Sequence, residues 1–417
     1  MKVLLIGSGG REHALGWKIA QSDRVTELMS LPGNPGLAEL GTIVEGVDPN
    51  DVGAVAALAR IHGIDLVIVG PEEPLAAGAA DAITHLGIPV FGPTRAAARL
   101  EASKAFAKDV MTRAGVPTAQ AWTFDEPEPT HRHIENDAGP YVVKADGLAG
   151  GKGVLVTTSR QEAHAWVDRC FGGGFGDAGS RVVIEEHLTG REVSVFAVCA
   201  GGEAVPLAPA RDYKRLGDGD AGPNTGGMGA YSPVSDLPDG LVEWAMEHVM
   251  KPTLRQMQED GDPYVGFLYA GLVLTEGGPQ VLEFNVRLGD PETQVVLPRM
   301  ETDLIDLIDD ALAGNLSAPA WSDDAAVEVV LAAGGYPDRP LKGAAITGWE
   351  GLPDDVLLFQ AGTARDGKTL TVNGGRVLNL VGLGPNLPTA RERVYAAAES
   401  VRWPGMQYRR DIAADAR

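Results

Sequence analysis

The chain has 417 residues with Lys+Arg 35 against Asp+Glu 57, a formal charge of −22, which repels nucleic acid and anionic membranes and excludes both as expected partners. Cys170 and Cys199 are its only cysteines, too few for a disulfide framework or a Cys-based metal site, so a reducing interior is expected. No apolar run reaches membrane-spanning length and the first residues are no signal peptide; the expected location is the cytoplasm, and the length predicts several domains.

Val3–Ile6, the turn Gly7-Ser8-Gly9-Gly10 and the periodic run Arg11–Ile19 read as strand, glycine turn and helix, the opening of a doubly wound α/β domain. A dinucleotide fingerprint wants a third glycine where Glu12 stands and an acid at the end of the next strand, 28–31, which has none. A nicotinamide site is therefore not expected. The N–H groups that open the helix are expected to be free for a small anion. Gly33-Asn34-Pro35-Gly36, a helix over 51–62, a buried strand over 65–69, Gly70-Pro71-Glu72-Glu73-Pro74-Leu75 with a further helix, and a strand at 89–91 complete the domain. Parallel sheets bind ligands at the carboxyl ends of their strands, so the loops at 7–10, 33–36 and 70–75 should converge on one crevice.

A helix is predicted over 94–114, carrying Lys104 and Lys108, with Gly115-Val116-Pro117 as its stop. Two strands then flank a glycine-rich loop, with Lys144 inside the first strand and Gly150-Gly151-Lys152-Gly153 at the tip. This is either a long hairpin or a triphosphate cradle of flexible backbone and two ammonium groups. It is not a P-loop, because Lys152 precedes a strand and not a helix. After a helix over 161–170 and a glycine-rich spacer, a strand over 181–188 runs through Glu185 and Glu186 into a connector at Leu188, and Glu192 follows on the next strand. Residues 210–233 form a long charged, glycine-rich loop without hydrophobic periodicity, in which Arg211, Lys214 and Arg215 gather positive charge suited to an anion. A helix over 241–258 and a strand over 266–275 come next.

Val281–Arg287 alternates as a strand, placing Glu283, Asn285 and Arg287 on one face and Leu282, Phe284 and Val286 on the packed one. The polar face is either solvated or a site: hard oxygens two residues apart suit Mg²⁺ that also bridges substrate phosphates. The turn Gly289-Asp290-Pro291-Glu292 adds further ligand-type residues. Beyond 325 the texture becomes β-rich, with strands near 327–332, 357–360 and 375–380, a helix near 390–400 and the tail 408–412.

Lys104, Lys144, the 150–153 loop, Glu185-Glu186-x-Leu188, Glu192 and Glu283-x-Asn285-x-Arg287 stand in the order of an ATP-grasp nucleotide site. The chain as a whole resembles the phosphoribosylamine–glycine ligase family of purine biosynthesis. Its most specific motifs are Arg287-Leu-Gly-Asp-Pro-Glu292, Asn224-Thr-Gly-Gly-Met-Gly-Ala-Tyr-Ser-Pro233, Lys144-Ala-Asp-Gly-Leu-Ala-Gly-Gly-Lys-Gly-Val154 and Gly7-Ser-Gly-Gly-Arg-Glu-His-Ala14.

The resemblance implies an α/β and α+β multidomain fold. Its parts are a Rossmann-like substrate domain at 1–100, an ATP-grasp large lobe at 101–118 and 191–324, a small lobe or lid at 119–190, and a β-rich C-terminal domain at 325–417. It also implies ATP-dependent joining of glycine to 5-phosphoribosylamine through glycyl phosphate, giving ADP and phosphate, by a monomer or weak dimer. Lys104 and Lys144 would meet ATP phosphates under Gly150, Gly151, Lys152 and Gly153. Glu185, Glu186 and Leu188 would surround adenine and Glu192 the ribose. Glu283 and Asn285 would hold Mg²⁺ or Mn²⁺, while Arg287 and Lys144 would stabilise the transferred phosphoryl group. Substrates would lie against Gly9, Gly10, Asn34, Pro35, Gly36, Glu72, Asp212, Lys214, Arg215, Asn224, Gly226, Gly227, Met228, Arg287, Gly289 and Asp290. The rivals are an ATP-grasp ligase for a different carboxylate or amine, and a nucleotide-sensing protein without ligase activity.

Overall fold

The computed structural model describes residues 1–416. Its first 91 residues build a parallel sheet of β1 (Lys2–Gly7), β2 (Glu27–Pro32), β3 (Thr42–Ile43), β4 (Leu66–Val69) and β5 (Val90–Phe91), ordered β3-β2-β1-β4-β5. Leu4, Leu5 and Ile6 are wholly buried, as expected for strands covered on both faces. The order reverses at β1, which puts the crevice above the turn at Gly7–Gly9. That turn is closed by backbone: Gly33 N–H donates to Gly7 O at 3.1 Å and Gly70 N–H to Ile6 O at 2.9 Å.

The single helix expected over 94–114 is two helices, Arg99–Ala102 and Lys104–Ala114. Ser103 breaks it with extended φ −144° and caps the second helix by accepting the Phe106 N–H. Lys104 thereby becomes the first residue of a helix. A small lobe follows, with β6 (Ala121–Phe124), β7 (Tyr141–Ala145), β8 (Val154–Thr157) and β9 (Val182–Glu185) ordered β6-β9-β7-β8. Tyr141, Val143, Val167 and Ile184 belong to a core of its own, separate from the rest.

The large lobe is the antiparallel sheet β11-β10-β16-β17, with β10 at Arg191–Ala200, β11 at Glu203–Pro206, β16 at Val265–Thr275 and β17 at Gly278–Asn285. A bulge corrects the expected alternation: Gly271 pairs with Glu283 while Leu272 pairs with Val281, leaving Leu282 unmatched. Val281, Phe284 and Val286 enter the core and Leu282 is only half-buried. The strand ends at Asn285, so Arg287 lies beyond it.

The loop expected at 210–233 is ordered structure. It contains β12 (Arg211–Asp212), a two-stranded ribbon of β13 (Arg215–Gly217) and β14 (Ala221–Asn224), and β15 (Gly229–Ser232). β12 and β15 join a sheet completed by the C-terminal part, β12-β15-β18-β22-β19, where β18 is Ala325–Ala332, β19 is Val356–Gln360 and β22 is Arg376–Gly384. A hairpin of β20 (Thr363–Asp366) and β21 (Thr369–Val372) and the helix Leu387–Ala398 finish the unit.

Candidate active site

The helix Lys104–Ala114 meets the ends of β7 and β9 through its side chains. Lys104 Nζ donates to Asp146 O at 3.2 Å and Gly147 O at 3.0 Å. Asp146 in turn accepts from the Ala105 N–H at 2.7 Å and lies within 3.1 Å of Ser103 Oγ, fixing the helix start to the end of β7. Glu185 closes β9 between two ammonium groups, Lys144 at 2.9 Å and Lys108 at 3.2 Å. All three side chains are buried. Burial lowers the Lys108 pKa and that of Lys104, opposed by Glu185 for the first and Glu283 for the second.

Lys108 is the functional candidate that sequence reasoning missed. Its signal was the i,i+4 spacing from Lys104, which puts both on one helix face. Glu185 was expected beside adenine; its carboxylate is the counter-ion of this pair, and the Glu186 N–H that follows donates to Gln120 O at 2.9 Å. Three lysines thus gather around the buried carboxylates of Glu185 and Asp146, with Glu283 across the cleft, in a chain of net charge −22. Gly150 (φ +56°) and Gly151 (φ +73°) form the open tip of the loop between β7 and β8 on left-handed backbone, with no neighbour where a Cβ would stand.

Across the cleft, Glu283 is exposed and Asn285 is nearly buried. Among the described residues neither side chain has an ion pair with the rest of the chain. Glu192 on β10 is engaged by Lys214, which also lies 3.7 Å from Asp212. Burial pushes the Asp212 carboxyl up to about 7 against the pull of Lys214. Arg211 does not add to an anion site. Its guanidinium is buried between Asp236 at 2.6 Å and Tyr231 Oη at 2.8 Å. Arg215 likewise donates to Gly222 O at 2.9 Å within its own ribbon.

Arg287 was expected to face the phosphoryl group. Its donors are instead committed to the N-terminal segment, with Nε 3.0 Å from Glu72 Oε2 and Nη2 2.7 Å from Glu101 Oε1. Burial raises Glu72, but Arg287 and Arg11 pull it down to about 2, whereas burial carries Glu101 up to about 7 despite Arg287. Glu72 is the first residue of a short helix, Glu72–Ala77, which it ties to Arg287.

The crevice of the first domain is also filled from within. Glu12 folds back so that Gly9 N–H donates to its Oε2 at 2.6 Å, while Arg11 Nε donates to Oε1 at 2.6 Å. The expected free N–H at Gly9 is taken, and a carboxylate stands where a dinucleotide pyrophosphate would lie. Asn34 is spent on architecture: Oδ1 accepts from Gly36 and Leu37 N–H at 2.9 Å, and Nδ2 donates at 2.8 Å to Ser8 O and Gln360 O. A Cβ on Gly36 would come 2.0 Å from the His13 ring, and one on Gly10 would come 2.1 Å from Asn379 Nδ2. Pro35 remains half-exposed beside them.

The C-terminal part contributes residues that the sequence did not single out. Arg376 donates to Gly226 O at 2.6 Å, Asp290 O at 2.7 Å and Asp290 Oδ2 at 2.9 Å. Tyr336 Oη accepts the Gly226 N–H at 3.0 Å. Gly227 (φ +111°) permits the close approach, since a Cβ there would meet Pro291 at 2.3 Å, and one on Gly289 would meet Glu292 at 2.3 Å. A cavity of about 410 Å³ opens between Gly151, Lys152, Asn224, Tyr336 and Arg376. Met228, expected at a substrate, is fully buried and acts through packing, while its N–H donates to Tyr213 O at 2.8 Å.

Residues 1–101, 102–293 and 326–415 match the family models for the N domain, the ATP-grasp (A) domain and the C domain of phosphoribosylglycinamide synthetase. The chain is 49% identical over 414 residues to a phosphoribosylamine–glycine ligase of Rhizobium meliloti, covering 99% of this chain and 98% of the relative. Among solved structures it superposes on phosphoribosylamine–glycine ligase from Thermotoga maritima with a TM-score of 0.88 at 39% identity, covering 99% and 100% of the two chains. A biotin carboxylase complex with β,γ-ATP from Campylobacter jejuni matches at a TM-score of 0.77 and 16% identity, over 98% and 92%, a likeness of fold. The chain therefore belongs to the phosphoribosylglycinamide synthetase family.

Proposed function

We propose that the chain activates glycine with ATP as glycyl phosphate in the lysine-lined cleft and passes the glycyl group to the amine of 5-phosphoribosylamine, releasing ADP and phosphate. The ligase activity, an early step of purine biosynthesis, comes with the family. The route rests on one observation: Lys108 and Lys144 pair with Glu185 while Lys104 is held at the end of β7 by the Asp146 and Gly147 carbonyls, the three facing the uncommitted Glu283 and Asn285. A carboxylate is a poor electrophile, and phosphorylation makes it acyl-transferring. The side chains needed are then those that position and neutralise oxygens, with no nucleophile among them.

Lys104 and Lys144 would hold outer phosphates beneath residues 150–153, and Lys108 would hold Glu185 in place. Among the described residues no three acidic, His or Cys side chains gather into a metal-binding group. An Mg²⁺ or Mn²⁺ ion bound by Glu283 and Asn285 would thus complete its shell with nucleotide oxygens, and would supply charge neutralisation there. Gly10, Glu72, Asp212, Lys214, Asn224, Gly226 and Asp290 would face glycine and the amine. The working parts are residues 1–100 for the amine side, 101–118 with 191–324 as the large lobe, 119–190 as a lid with its own core, and 325–417. The lid would exclude water from the acyl phosphate. The test is nucleotide release from ATP and Mg²⁺: ADP that appears only with both glycine and phosphoribosylamine supports the reading, and AMP as the stoichiometric product overturns it.

A further inference from the structure

Among the described residues, two that are not glycine hold φ in the left-handed region, Asp220 and Ala413, both at +54°. They are nearly 200 positions apart in sequence, yet they sit in one contact between the β13–β14 ribbon and the C-terminal tail. Strain of this kind persists only where surrounding interactions impose it. Arg409, 1% exposed, supplies most of them. Its guanidinium donates to Asp220 Oδ1 at 2.7 Å, to Arg215 O at 3.2 Å and to both oxygens of Asp411 at 2.7 and 2.6 Å, and it lies 4.8 Å over the Tyr213 ring. Backbone seals the contact: Gly219 N–H donates to Asp411 Oδ2 at 2.8 Å, Arg410 N–H to Asp218 Oδ1 at 2.7 Å and Ala413 N–H to Tyr213 Oη at 2.9 Å. The tail itself is anchored from the helix Leu387–Ala398, where Arg391 donates to Arg410 O at 2.7 Å and Ile412 O at 2.9 Å.

The ribbon so held carries Lys214 next to β13 and leads through Asn224 to Gly226, where Arg376 and Tyr336 grip the backbone. Its outer strand is exposed throughout, and among the described residues β14 pairs only with β13. Its base is fixed, since Thr225 N–H donates to Lys214 O at 2.8 Å and Lys214 pairs with Glu192, whereas the contacts that hold its tip come from the tail. We propose that Arg409 is a positioning residue for the amine substrate: the tail latches the ribbon, and the latch sets where Lys214 and Asn224 stand. This rests on the reading above that Lys214 and Asn224 are among the residues facing glycine and the amine, and it assigns them to the amine.

The test compares Arg409→Gln, Arg409→Lys and Asp220→Asn with Asn224→Ala in the full chain, by steady-state kinetics and by hydrogen exchange. The expected result is faster exchange across 213–224 in Arg409→Gln with β1–β5 unchanged, a KM for phosphoribosylamine raised about tenfold or more, a KM for ATP within about twofold, and partial rescue by Arg409→Lys. Asp220 is largely exposed and asparagine tolerates its backbone angle, so Asp220→Asn carries the same test should Arg409→Gln not fold. Unchanged exchange in the ribbon overturns the latch, as does a parallel rise in both KM values. If Asn224→Ala raises the amine KM while Arg409→Gln leaves it unaltered, the latch falls and the site reading stands. If Asn224→Ala is silent, the site reading itself fails and the latch's role falls with it.

Discussion

Acid should loosen the junction between the first domain and the C-terminal sheet through a single residue, His13. Its Nδ1 accepts the Gln360 N–H at 2.7 Å and its ring meets Phe359 edge-on at 5.5 Å. Burial lowers its pKa from 6.5 to about 4, and protonation at Nδ1 would break the bond it accepts from Gln360. Because the folded pKa is the lower one, the unfolded chain binds the extra proton between pH 6.5 and 4. Stability is intact above pH 6.5 and is lost as pH falls through that window. At pH 5 the loss is about 2 kcal/mol, or roughly 30-fold in an opening equilibrium, rising to about 3 kcal/mol below pH 4. Glu101, raised to about 7, works in the opposite sense between its ordinary value and neutrality, so the effect must be read as a difference. Hydrogen exchange at Gln360, corrected for intrinsic rate, should lose about 30-fold of its protection between pH 7.5 and 5 in the wild type and far less in His13→Gln. Equal loss in the two proteins would refute the assignment.

Glu283→Gln should leave the fold unchanged and reduce turnover by several orders of magnitude; near wild-type rates at limiting Mg²⁺ would remove Glu283 from the metal site. Gly10→Val must displace Asn379 and Gln294, which a Cβ would approach to 2.1 and 2.8 Å, so it should weaken use of phosphoribosylamine with ATP affinity nearly unchanged by calorimetry. Lys108→Met leaves Glu185 with one ammonium partner and should cost about 3–5 kcal/mol in a denaturant titration, with part recovered in the double variant that adds Glu185→Gln. Additive losses in that pair would show that Lys108 and Glu185 are not coupled.

Local chemistry made much of this legible. The β1 turn, the glycines of the 150–153 loop and the strand that carries Glu283 each declare themselves within a few residues, through periodicity or through a backbone need that glycine meets. What escaped depends on partners far away in sequence. Lys108 reads as a solvated helix lysine until β9 brings Glu185 to it, and Arg287 reads as an active-site cation until Glu72 and Glu101 arrive from the first hundred residues. The bulge at Leu282 is set by its pairing with β16, which no alternation within β17 can reveal. Ser103 is different: its capping role was readable, and the apolar spacing on either side concealed the break.

The shared sheet has a consequence for how the chain is made. β15 has no lasting neighbour on one side until β18 is synthesised about 95 residues later, roughly 5–20 s at ordinary elongation rates, and β22 comes later still. During that interval an open strand edge rich in buried positions is available to other chains. Ribosome stalling or proteolysis within residues 233–324 should therefore release fragments that aggregate, even past residue 285, where the last strand of the large-lobe sheet has been made. The C-terminal unit is for this reason no removable appendage: it cannot be cut away or exchanged at residue 325 without leaving β15 bare.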